Sequence, residues 1–184
     1  MPMSRIGRRS PAALVLAAAL CATLSTPAFA ATQRVYEAES ATIDNPACGD
    51  NPPMRVVTMQ PGASGNATVF YPGSGCSQTF HAINERVVRA RLKVGGLAGT
   101  VCGHLDFTGS VSGHSENFCH VDSEYFDAAV TTTTGIGNFT VTWIVDSPSP
   151  SWADIDLDYL VLETPDPEPC LVVSVHLGPL SVCL

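Results

Sequence analysis

The segment Val35-Tyr36-Glu37-Ala38-Glu39-Ser40-Ala41-Thr42 places two carboxylates two positions apart. Near the other end of the chain, Asp156-Leu157-Asp158-Tyr159-Leu160-Val161-Leu162 supplies two more. On a β-strand, residues i and i+2 project from one face, so Glu37 and Glu39 form a pair of oxygen donors. The same alternation puts Asp158 on a face with Leu160 and Leu162. Acids that share a face with apolar residues need a partner, and a bound cation is a ready candidate.

Six cysteines lie beyond residue 30: Cys48, Cys76, Cys102, Cys119, Cys170 and Cys183. An even count in an exported chain predicts three disulfides, and nearest-neighbour pairing brackets a hairpin or loop each time. The rival chemistry is a zinc site, because Cys102-Gly103-His104 and Cys119-His120 offer two thiols and two imidazoles. Their spacing matches no zinc motif, and export favours oxidation over metal binding. Catalysis has weaker support. Asp106, Glu116, Glu124 and Asp127 are carboxylates a glycosidase could use, but no spacing singles out a pair. The chain has no Gly-x-Ser-x-Gly elbow, His-Glu-x-x-His motif or phosphate-binding loop. It reads as a non-enzyme.

The elements that must position these groups are strands. Arg86–Val94 alternates Val88, Ala90, Leu92 and Val94 against Arg89, Arg91 and Lys93, then stops at Gly95-Gly96. Phe139–Val145 alternates Phe139, Val141, Trp143 and Val145 against Thr140, Thr142 and Ile144. Shorter strands are predicted at Val56–Met59, Ala67–Tyr71, Val101–Phe107, Phe118–Val121 and Asp156–Glu163, with the third and fourth pairing. Helical periodicity is broken everywhere by Gly, Pro or Thr. Short strands between Gly/Pro/Ser turns predict an all-β jelly-roll β-sandwich, stabilised by disulfides.

Residues 1–30 carry Arg5, Arg8 and Arg9, an apolar run from Pro11 to Leu20, and Ala28-Phe29-Ala30. That is the pattern of a secretory signal peptide, too short in its apolar part to anchor in a membrane. The remainder is expected to be secreted and extracellular, with no membrane span. It holds seventeen acids against six bases, which excludes nucleic acid as a natural partner. Four of those bases, Arg86, Arg89, Arg91 and Lys93, are predicted to form a strand face paired with acidic neighbours. Residues 31–164 form the predicted sandwich and 165–169 a Pro-rich spacer. Residues 170–184 form an apolar hairpin closed by Cys170 and Cys183 around Gly178-Pro179, which could engage a protein partner as an inhibitor or adhesin would.

Glu37-Ala38-Glu39-Ser40-Ala41-Thr42 and Asp158-Tyr159-Leu160-Val161-Leu162 resemble the opening and closing segments of calcium-containing jelly-roll carbohydrate-binding modules of families 6 and 35. Arg86–Leu92 is similar to the central strand of that group and Gly137–Trp143 to its penultimate one. The resemblance implies a structural calcium (Ca2+) held by Glu37, Glu39 and Asp158, whose oxygens suit its six-to-eight-fold shell. It also implies that a polysaccharide or oligosaccharide binds the loops before the last strand. Trp152, in Ser147-Pro-Ser-Pro-Ser-Trp-Ala-Asp154, would stack on a sugar ring, and Asp156 would accept from hydroxyls. Tyr71 and Tyr125 are further aromatic platforms.

Overall fold

The computed structural model describes residues 31–48, 52–95, 99–121, 124–150, 153–166, 170–175 and 178–183. The expected signal peptide therefore lies outside the described residues, as do Trp152 and the last three residues of the Pro-rich spacer. The chain divides into two compact units, of which Ala31–Asp166 carries the sandwich and the C-terminal hairpin belongs to the other.

The sandwich is a jelly roll whose sheets share strands. β1 (Thr32–Glu37), β2 (Thr42–Ile43), β3 (Arg55–Thr58) and β4 (Ala67–Tyr71) precede the long β5 (Ser77–Val94). Then follow β6 (Val101–Gly109), β7 (Gly113–Ser115), β8 (Phe118–His120), β9 (Phe126–Thr132), β10 (Gly135–Val145) and β11 (Ile155–Thr164). In the first sheet β11 lies between β1 and β5, and also pairs with β4, which carries β3. In the second sheet β10 lies between β5 and β6, with β8 and β7 on β6. β5 serves both. Residues 77–85 pair with β10, and 86–94 with β11. β9 also changes sheets, pairing with β5 through Phe126–Ala129 and with β7 through Val130–Thr132.

Bulges allow these corners. The register between β10 and β5 skips Asn84, which sits at φ 57°, a left-handed conformation that Asn tolerates better than most residues. A second skip leaves Val88 without an opposite residue, so Val87 is the buried member there and not Val88 as simple alternation predicts. Beyond it Ala90, Leu92 and Val94 face inward as expected. The core joins them to Phe80, Leu105, Phe107, Phe139, Val141, Trp143, Leu157, Leu160 and Leu162. Trp143 stacks on Phe118 at 5.6 Å between ring centroids and donates its indole N–H to the Ala153 carbonyl.

Cys48–Cys76 and Cys102–Cys119 are disulfides, in the nearest-neighbour pattern. The second removes both thiols of the rival zinc reading. β12 (Cys170–Val175) and β13 (Gly178–Cys183) form the hairpin, whose register sets Cys170 opposite Cys183. Their side chains, and hence the third disulfide, lie outside what is described. Among the described residues no helix is long and apolar enough to cross a membrane.

Candidate functional site

Glu37 closes β1 opposite Tyr159, on the outer side of the sheet, while its neighbour Tyr36 packs against the core. The chain then tightens into a 3-10 turn, Ala38–Ser40, closed by a 3.0 Å bond from the Ala41 N–H to the Ala38 carbonyl. Glu39 is thus on a turn and not in strand phase with Glu37. Asp158 also departs from simple alternation. The register between β11 and β5 jumps from Leu157 to Tyr159, making Asp158 the extra residue of a bulge. It turns toward Arg91, away from the core face occupied by Leu160 and Leu162.

The loop before β4 runs past all three acids. The Ser64 N–H donates to both oxygens of Asp158, at 2.9 and 3.1 Å, and its hydroxyl donates to Glu37 Oε1 at 2.7 Å. Gly65, at φ 58°, lies so close that a Cβ there would stand 3.1 Å from Glu39 Oε1. Glu37 Oε2 and Glu39 Oε2 are buried with no hydrogen-bond partner among the described residues. Asp158 is fully buried, and burial pushes its carboxyl up to about 6. Repulsion from Glu37 and Glu39 adds to that rise, against the Ser64 N–H and the Arg91 charge.

These oxygens, hard and anionic, are of the type that calcium takes. Two of them lack any donor, an expensive condition for a buried carboxylate. As the side chains stand they are not a preformed cage. No group of three or more His, Cys, Asp or Glu among the described residues is gathered as one. Ser64 occupies Asp158 and Glu37 instead. The donor types suit a hard cation, while Ser64 and Arg91 engage Asp158 as it stands.

A second charge pair adjoins this corner. Lys93 Nζ lies 3.2 Å from Asp156 Oδ2 and donates to Gln60 Oε1 at 2.8 Å. Tyr125 lies beneath both bases, with Arg91 at 5.5 Å and Lys93 at 5.2 Å from its ring centroid. Burial, followed by the Asp156 and Asp158 charges, pushes its hydroxyl up to about 12. Burial likewise raises Asp156, against the pull of Lys93.

The expected sugar contacts are therefore dispersed in role. Tyr71 is a core residue with its hydroxyl donated to Gln78 at 2.8 Å, so its ring offers no face to a sugar. Tyr125 is engaged by Arg91 and Lys93. Asp156 is 8% exposed and paired. Ser64, Gly65 and Arg91 were not legible as site residues. Only the charge alternation of β5 hinted at the last, and its bases do meet acids: Arg86–Glu163, Arg89–Asp127, Arg91–Asp158 and Lys93–Asp156.

No protein-family model matches the sequence, and no curated protein matches it. Solved structures share low identity with it. An exo-β-1,3-galactanase from Phanerochaete chrysosporium is 16% identical at a TM-score of 0.49, over 71% of this chain and 29% of that one. A family 35 carbohydrate binding module from Clostridium thermocellum is 17% identical at 0.46, over 71% and 97%. A family 36 module of a xylanase from the hindgut metagenome of Trinervitermes trinervoides is 14% identical at 0.45, over 71% and 96%. The chain thus spans less than a third of the galactanase.

Proposed function

We propose that this chain is a secreted, non-catalytic carbohydrate-binding module whose jelly roll is pinned by a structural calcium. The observation that carries the calcium reading is that Glu37, Glu39 and Asp158 flank one loop, with two buried carboxylate oxygens left without donors among the described residues. These three side chains would hold the ion, which would cancel their charge and tie the first strand to the last. Its contribution would be stability, by binding the folded state alone. The resemblance of the two end segments supports the sugar reading. With Tyr71 in the core and Tyr125 covered by bases, Trp152, which precedes β11 in the sequence and lies outside the described residues, is the candidate stacking ring.

Two measurements test this. Thermal unfolding in calcium should exceed that in excess EDTA by several degrees, with magnesium failing to substitute; Glu37→Gln or Asp158→Asn should abolish the difference. Electrophoresis through gels containing soluble polysaccharides should show retardation by at least one of them. Trp152→Ala should lose it while keeping the calcium-dependent melting. Retardation equal in Trp152→Ala would remove that ring from the site.

The hairpin supports a second reading, an interaction protein. Its register opposes Leu171 to Val182 and Val173 to Leu180, two pairs of apolar residues. Deleting residues after Asp166 would abolish capture of a protein partner under this reading and leave sugar retention intact under the first.

A further inference from the structure

Arg91 enters the acidic corner without being bonded into it. Its Nε is 3.2 Å from Asp158 Oδ2, yet that N–H is buried and has no hydrogen-bond acceptor. The contact is one of charge only. Among the described residues, the guanidinium donates once, from a terminal nitrogen to the Gly62 carbonyl at 3.3 Å. The guanidinium also lies 5.5 and 5.9 Å from the ring centroids of Tyr125 and Tyr159. The side chain remains one-third exposed, against none for Asp158. Lys93, the next base along the same face, is committed to Asp156 and Gln60. One monovalent cation is therefore set against Asp158, the carboxylate that also feels the Glu37 and Glu39 charges.

We propose that Arg91 is a tethered cation that competes with calcium for Asp158, setting the affinity of the site and holding the corner together when the ion is absent. This rests on the calcium reading above. A fixed positive charge a few ångströms from a cation site opposes a second one there, and the opposition is strong where water is excluded. Arg91 can yield because its Nε–H has no bond to lose among the described residues and its side chain is one-third exposed. In the ion-free state it keeps the Gly62–Ser64 loop over the acids through the Gly62 carbonyl. In the loaded state the ion does so.

Calcium titration by calorimetry on the full secreted chain tests this, with Arg91→Gln and Arg91→Lys beside the wild type. Arg91→Gln should bind calcium at least about tenfold more tightly and melt several degrees lower in EDTA, while Arg91→Lys, which keeps the charge, stays within about threefold of wild type. Equal affinity in Arg91→Gln and wild type would overturn the proposal and leave the calcium reading standing. Absence of calcium binding in all three proteins would overturn both. The wild type supplies a readout that needs no variant to fold. The Arg91 Nε–H resonance should shift and exchange faster with water when calcium is added, and an unmoved resonance in a protein that binds calcium overturns the competition.

Discussion

At the residue scale, two positions show how little freedom the corners leave. Gly95 donates its N–H to the Asp154 carbonyl, and a Cβ on it would stand 1.2 Å from Asp154 Oδ1. Gly95→Ala should cost about 1–3 kcal/mol by overpacking. Asp154→Ala in the same chain should return most of the loss, and urea denaturation of the two single variants and the double would show the coupling. Glu85 is nearly buried. Burial alone would raise its carboxyl, but the Arg34 hydrogen bonds and the Ile83 N–H outweigh it and hold the group below its ordinary 4.5. A depressed folded value means stability that is fully present above the unfolded value and lost as pH falls through the folded one. Wild type should therefore lose stability below about pH 4.5 more steeply than Glu85→Gln. Parallel pH profiles of the two would sink the idea.

At the element scale, the molecule depends on strands that leave one sheet for the other. β5 turns at Asn84, whose left-handed backbone a branched side chain resists. Asn84→Val should destabilise by about 1–2 kcal/mol, whereas Asn84→Gly should fall within about 0.5 kcal/mol of wild type. Equal losses in chemical denaturation would deny the bulge its conformational role. The short β8 is held to β6 by three register pairs and by Cys102–Cys119. With seventeen residues of separation, replacing both cysteines by Ser should cost about 3 kcal/mol. Phe118, which stacks on Trp143, should lose its fixed environment, visible in the near-ultraviolet circular dichroism.

At the scale of the whole molecule, Ala31–Asp166 closes on itself. β1 lies beside β11, so the two ends of the sandwich meet on adjacent strands. A chain ending at Asp166 should therefore fold and melt cooperatively, as circular dichroism would show, and a non-cooperative melt would deny the sandwich its independence.

The amino-acid sequence determined the strand character, the core alternation of Ala90–Val94 and Phe139–Trp143, and the pairing of acids with the bases of β5. These properties follow from local periodicity and from charge, which one strand displays by itself. Tertiary structure decided what periodicity cannot carry. Two bulges exchanged Val88 for Val87 in the core and turned Asp158 from the Leu160 side to the Arg91 side. A bulge forms where strands from distant segments must bend together, so its position depends on partners far along the chain. Burial of Tyr71 and the capture of Tyr125 by two bases were likewise invisible. An aromatic residue beside a turn has the same sequence signature whether its ring faces solvent or core, and only the layer packed above it settles which.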